Sequence, residues 1–265
     1  MTLNKLAFSL VGSLALATVG FAGTAPSGKK CTTCTPPAAA ENDLGFTLSA
    51  GYDTKYIFRG LDLADNWITT SLDWTLPLTS TVRLDSGASY GVSADDSFLG
   101  VDGASYQRLE LNTGIVADLG GAELGLGYRW YNHQGDGDLV LEDGHEVGLT
   151  LASKAGPLNV GVGAYYDFAI EGWFFELGVN SEIKINDTIS LVPGANLGYG
   201  SSYNYHLEGA EGIDGFSHVG LSLALPIKLT KTATLTPYIA GNLPIDELDG
   251  FDNQLFGGVS LSVKF

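Results

Sequence analysis

From residue 44 onward the sequence alternates between an apolar residue and a small or polar one. A period of two is the pleat of a β-strand, whose successive side chains point to opposite faces. "LGFTLSAGY" puts Leu44, Phe46, Leu48, Ala50 and Tyr52 on one face and Gly45, Thr47, Ser49, Gly51 and Asp53 on the other. "AELGLGYRWY", "PLNVGVGAYYDF" and "WFFELGVNSEI" repeat the pattern, and no helical period of comparable strength competes. The spacing predicts about twelve strands, near 44–57, 67–76, 82–92, 105–117, 122–131, 145–153, 158–168, 173–184, 188–199, 215–225, 233–240 and 254–265. Each is about ten residues long, the length of a tilted strand crossing a bilayer. Ten or fourteen strands also satisfy the pattern, and Pro193 and Pro237 fall inside predicted strands nine and eleven, where each removes a ladder donor.

Two kinds of sheet alternate in this way, a soluble sandwich and a transmembrane barrel. Three observations favour the barrel. Charged residues are 16% of the chain, whereas a soluble domain carries about 25%. The second face is glycine and small polar residues, which suits a lumen. The connections also alternate in length. Those near 77–81, 118–122, 154–157, 185–187 and 226–232 are short, and those near 58–66, 93–104, 132–144, 200–214 and 241–253 are long; only 169–172 breaks the rule. Outer-membrane barrels have short periplasmic turns and long extracellular loops. Charge sorts the same way. The long loops hold the acidic "SADDSFLGVDG", "HQGDGDLVLEDG" and "PIDELDGFDN", and the short turns hold Lys154, Lys184, Lys228 and Lys231. Tyr52, Trp130, Tyr166, Phe168, Trp173 and Tyr199 sit near strand ends on the apolar face, where a girdle of interfacial rings belongs. The fold class expected is therefore all-β, a transmembrane antiparallel up-and-down barrel over residues 44–265.

The ends of the chain agree with export. Residues 1–22 carry one Lys, an apolar run and then small residues, the layout of a secretory signal peptide. Residues 23–43 form a Pro/Ala-rich linker containing Cys31 and Cys34. A C-x-x-C pair suggests a redox or metal site, but no further cysteine exists to complete a zinc site and Thr35 stands where a c-type haem motif needs His. A local disulfide in an exported tail is the plainer reading. The last strand, "GGVSLSVKF", keeps its alternation through Leu261, Val263 and Phe265. A barrel in lipid cannot leave an open edge, so the last strand must pair with the first. A terminal aromatic after alternating apolar residues also resembles the signal read by the barrel-assembly machinery.

"GYDTKYIFRGLDLADN" at 51–66 resembles the first hairpin of TorF-type porins, with the motif at Tyr56, Phe58, Arg59 and Gly60. The likeness is specific over about fifteen residues and otherwise extends only to barrel character. It implies an outer-membrane barrel and a channel, without naming a solute. Parity alone puts Tyr56 and Phe58 on the apolar face at the outer rim and turns Lys55 and Arg59 inward.

Parity also assigns the charges of the lumen. Arg108, Glu110, Arg129, Glu146, Asp167 and Glu176 face inward at similar depth on neighbouring strands, as either a structural ladder or a cation-favouring constriction. No catalytic group is expected. Of the four histidines, His133 and His206 fall in predicted loops, His218 faces inward, and His145 faces lipid among aromatic rings with no serine in reach. No cofactor and no bound metal are expected, since "DGD" at 136–138 does not continue at calcium-loop spacing. The net charge of -17 excludes nucleic acid as a partner. The partners implied are outer-membrane lipid and lipopolysaccharide, the assembly machinery, and divalent cations collected at the acidic loops. These observations predict a weakly cation-selective, porin-like channel in the cell outer membrane for small hydrophilic solutes. The alternatives are a closed barrel used as a structural or surface-interaction module, and a lipid-modifying enzyme.

Overall fold

The computed structural model describes residues 44–95, 97–135, 141–207 and 210–265. The signal segment and the linker with Cys31 and Cys34 lie outside the described residues. Twelve long strands run in sequence: β1 (Phe46–Phe58), β2 (Leu61–Pro77), β3 (Val82–Ser93), β4 (Tyr106–Asp118), β5 (Ala122–Gly135), β6 (Gly144–Ala155), β7 (Leu158–Asp167), β8 (Gly172–Ser181), β9 (Ser190–Tyr203), β10 (Ile213–Ala224), β11 (Ala233–Pro244) and β12 (Gln254–Lys264). Each pairs antiparallel with its neighbours in the chain, and β1 pairs with both β2 and β12, which closes the sheet into a barrel. The closing register runs from Thr47 opposite Lys264 to Asp53 opposite Gly258. Below it, the Leu44 amide donates to the Phe265 carbonyl at 2.9 Å and the Phe265 amide to the Phe46 carbonyl at 2.9 Å.

The outer face is apolar because nothing polar can be satisfied in lipid. Leu48, Leu72, Ile115, Leu126, Leu149, Leu221 and Leu261 stand exposed around it. The predicted aromatic girdle lies at the end carrying the long loops. There Phe168, Tyr166, Trp173, Phe175, Tyr199 and Phe216 form an unbroken chain of ring contacts across β7 to β10, with centroids 5.0–6.2 Å apart. Both suspect prolines remain within strands. Pro193 lies one residue beyond the Asn180–Gly194 pair and Pro237 one beyond the Ala224–Tyr238 pair; on that side each sits in a gap of the ladder, which resumes at Ile183 with Leu191 and at Ile227 with Leu235.

The first connection departs from expectation. The predicted long loop at 58–66 is strand almost throughout, and only Arg59 and Gly60 connect β1 to β2. Both have positive φ, 52° and 91°, the conformation of a two-residue hairpin turn whose twist matches its strands. The register shifts between Tyr56 and Ile57, and Asn66 is left-handed with φ 50°. Above these irregularities the hairpin folds over the mouth of the barrel and into it. Tyr56 and Phe58 are therefore not on the lipid face. Phe58 is 4% exposed, and with Leu61, Leu63, Ala64 and Trp67 it joins a cluster containing Phe98, Tyr106, Tyr131, Phe174, Tyr203 and Leu248. Alternation loses its meaning here because Ile57, Phe58, Arg59, Gly60 and Leu61 are buried in succession, so no face of the hairpin tip meets lipid.

Candidate functional site

The loop end of the lumen is filled, and Arg59 lies at its centre. Its side chain is fully buried. Nη2 bonds Glu146 Oε2 of β6 at 2.7 Å, on a strand halfway round the barrel from β1. Nη1 donates to the Tyr203 hydroxyl of β9, and the Arg59 carbonyl accepts from the Tyr205 hydroxyl at 3.1 Å. The guanidinium carbon sits 4.5 Å from the Phe174 ring centroid and 4.9 Å from that of Tyr203, with Phe58 and Tyr165 at 5.3 Å. A charge can be buried this deeply only where a counter-charge and several π faces replace its water. The neighbouring Gly60 carbonyl accepts from Asn242 Nδ2 at 2.8 Å, and a Cβ on Gly60 would lie 2.6 Å from the His218 ring, so glycine is required there by contact as well as by φ.

All six residues assigned to the lumen face inward, and four of them form one network. Arg108 Nη2 bonds Glu110 Oε2 at 2.8 Å, Arg129 Nε bonds Glu110 Oε1 at 3.0 Å, and Arg129 Nη1 reaches Glu146 Oε1 at 3.4 Å. Glu146 thus joins this ladder to Arg59. Arg108 also donates to the Tyr56 hydroxyl and stacks 4.1 Å over Tyr131 and 4.4 Å over Phe58. Asp167 and Glu176 stand apart from the ladder. Asp167 accepts from the Ala169 amide at 2.8 Å and lies 3.3 Å from His206 Nε2; Glu176 accepts from Asn196 Nδ2 at 3.2 Å. Arg108, Glu146, Asp167 and Glu176 are all 5% exposed or less. The ladder residues pair with one another, and Arg59 joins the network through Glu146.

Below this layer the interior changes character. Ser49, Ser71, Gly87, Asn112, Thr150, Asn180, Ser222 and Ser260 line the lumen toward the short turns, and all are half-buried. This part is a polar vestibule.

The inward aromatic rings were the part sequence reading passed over. Tyr131, Tyr165 and Phe174 occupy inward positions by simple parity, two residues from Arg129, Asp167 and Glu176, so alternation marked them. Tyr203 had no such signal. It turns inward only because the register shifts between Ser201 and Tyr203, where Ser202 has φ 53°. His133, expected in a loop, lies at the end of β5, buried, with Nδ1 2.8 Å from the Tyr106 hydroxyl. His206 is buried in the loop after β9, where burial and then the charges of Arg59 and Arg108 push its imidazole down to about 3.

Chemistry at the histidines is limited by access. His145 is exposed on the outer face and bonds the Tyr128 hydroxyl at 2.6 Å. A serine does meet a histidine elsewhere. Ser217 is bulged out of the β9–β10 ladder, so it and its neighbour His218 both turn inward, with Oγ 2.9 Å from Nδ1. Asn196 Nδ2 lies 3.1 Å from His218 Nε2. Ser217 is 0% and His218 2% exposed, so this Ser–His–Asn set presents no nucleophile to lipid or water. Among the described residues no three His, Cys, Asp or Glu side chains converge with metal-binding geometry.

A closed twelve-stranded antiparallel barrel with an apolar belt, an aromatic girdle and a polar interior defines the class: a transmembrane β-barrel of the outer-membrane type. No family model matches the chain, and no curated protein matches it. Solved structures do. An outer membrane channel from Pseudomonas putida F1 superposes with a TM-score of 0.52 at 10% identity, over 88% of this chain and 100% of that one. KdgM porin in complex with disordered oligogalacturonate gives 0.50 at 11% identity, over 83% and 99%. The translocator domain of the autotransporter NalP from Neisseria meningitidis gives 0.50 at 13%, over 85% and 90%. A channel, a porin and a translocator share this architecture, so the fold is common to them and the interior decides the function.

Proposed function

We propose that this chain is a porin-like channel of the outer membrane that passes small hydrophilic solutes and is closed at its outer mouth by the Arg59 hairpin. The observation that carries this reading is the contrast along the barrel axis. A polar vestibule occupies the turn end, and the loop end is stopped by a two-residue turn held through an ion pair and hydrogen bonds. The resemblance of Tyr56, Phe58, Arg59 and Gly60 to the TorF-type motif supports it, because those residues build the stopper. Weak cation preference follows from charge. Arg59, Arg108 and Arg129 oppose Glu110, Glu146, Asp167 and Glu176, a formal sum of +3 − 4 = −1, and acidic loops surround the entrance. The same loops attract divalent cations at the lipopolysaccharide surface. The reading is non-enzymatic, since the Ser217–His218 contact lies sealed within the lumen.

One observation favours a closed barrel used as a surface module instead. The hairpin contributes five of the thirteen buried residues of an apolar cluster that fills the mouth, more than a light gate requires. Planar-bilayer recording of the refolded protein separates the two. Discrete openings, with a reversal potential in a KCl gradient displaced toward the potassium equilibrium potential, support the channel. A bilayer that stays silent with both the parent and Arg59→Ala supports the closed module.

A further inference from the structure

The two halves of the lumen wall differ beside the plug. Strands β4 to β8 carry the charged ladder and its rings. Strands β9 to β12 carry uncharged residues at the same depth, and here a cavity of about 20 Å³ remains, room for one water molecule. Its lining includes Asn196, His218, Ser222 and Asn242 together with Ile57, Ala240 and Phe256.

Three details make this cavity more than a packing fault. Asn242 is 3% exposed, donates from Nδ2 to Gly60 and to Gln254 Oε1 at 2.7 Å, and its Oδ1 accepts no hydrogen bond from the described residues. A buried amide oxygen without a donor is costly, so it is a feature with a use or a strain. Next, the cavity adjoins the turn of the plug, because Ile57 lines it directly and both His218 and Asn242 contact Gly60. Withdrawal of the hairpin therefore enlarges this cavity first. Finally, the lining is mixed: amides, an imidazole and a hydroxyl occur together with aliphatic and aromatic groups, a combination that suits a small molecule with hydroxyl edges and an apolar face.

We infer that the route past the plug runs along the neutral wall of β9 to β12, and that Asn196, His218, Ser222 and Asn242 form a hydrogen-bonding station for a small, uncharged, hydroxyl-rich solute such as a polyol. This rests on the channel reading above and specifies its path and solute class. The ladder charges are largely paired with one another and lie beside this route rather than on it, so the charge preference expected from them is weak.

The test uses the full barrel with single cysteines, each checked for folding by heat-modifiable mobility. Ser222→Cys is nearly isosteric. Its modification with a bulky, positively charged thiosulfonate is expected to cut open-channel current at least twofold. Thr150→Cys, half-buried on the opposite wall at β6, is expected to lose much less. Asn242→Leu also removes a bond to the plug turn, so it is read as a ratio: arabitol entry in liposome swelling, relative to potassium conductance of the same variant, is expected to fall at least threefold. Openings that ignore modification at Ser222 but are blocked at Thr150 overturn the assigned route and leave the channel standing. Arabitol entry and potassium conductance falling together in Asn242→Leu overturn the solute class. Absence of current and of swelling in every variant, Arg59→Ala included, overturns the channel reading and this inference with it.

Discussion

Replacing Arg59 by alanine tests the plug directly. The perturbation removes three contributions at once. Breaking a buried ion pair costs about 3–5 kcal/mol, because the surviving partner is left without compensation. Here the lower end applies, since Glu146 keeps Arg129 at 3.4 Å. The π faces of Phe174 and Tyr203 add about 0.5–2 kcal/mol for a desolvated guanidinium, and these contacts are not additive. The closed arrangement thus loses about 4 kcal/mol relative to any open one in which Arg59 has already left its seat. At about 1.4 kcal/mol per decade, the open-to-closed ratio rises by about 10³. Single-channel recording of refolded protein reads this as open probability, with heat-modifiable mobility confirming an intact barrel. Arg59→Lys is the informative companion. It keeps the charge but not the fork that reaches Glu146 and Tyr203 together, so its open probability falls between parent and alanine. An Arg59→Ala barrel that is folded and has the parent's open probability refutes the argument.

Acid should loosen the seat of the loop after β9. The buried His206 ring has a folded-state value of about 3 against an ordinary 6.5, so the folded protein does not take the proton that the unfolded chain takes. Stability is then full above 6.5 and falls below it by about 1.4 kcal/mol per pH unit; His206→Gln should flatten this slope in urea unfolding between pH 7 and pH 5. Deleting Phe265, which is 53% exposed, should cost less than the about 1.5–3 kcal/mol of a fully buried ring, yet sharply lower the amount of assembled barrel in the outer membrane. Equal outer-membrane yields for the two proteins would remove it from the assembly signal. Cysteines placed at Asp249 and at Lys154 should label in intact cells only at Asp249, and the reverse pattern would invert the assigned orientation.

Strand number was legible in the sequence because lipid enforces it, whereas at the outer ends β2, β5, β9 and β11 run four to six residues past the predicted bounds. An outward position must be apolar, so Leu124, Leu126 and Tyr128 could be read without reference to anything distant. The same logic placed Arg108, Glu110, Arg129 and Glu146 inside at one depth. It could not reveal that they are sealed. That depends on Arg59, whose partners Glu146 and Tyr203 are 87 and 144 residues away. Nor could it show Tyr56 and Phe58 turning inward, because the hairpin tip leaves the barrel wall, or Tyr203 and Ser217, where a bulge interrupts the count. Alternation is a local rule, and a plug is a long-range agreement among strands that each follow it.

The hairpin that stops the barrel is also the first part of it to leave the ribosome, and this bears on the order of assembly. The Arg59 turn is local and can form early, but its guanidinium has no seat until β6 brings Glu146 and β9 brings Tyr203. The seam between β1 and β12 waits longer still. Each such closure spends chain entropy before it returns any contact energy, which makes high-contact-order folds slow. During that interval the Arg59 charge must remain hydrated. It cannot enter the bilayer core with the flanks of β1 and β2, so the tip of the first hairpin stays in water while the sheet grows around it. The plug is thus made first but can dock only once β9 is in place, and a barrel that closes its seam with the tip still outside is complete in every strand and open at the mouth.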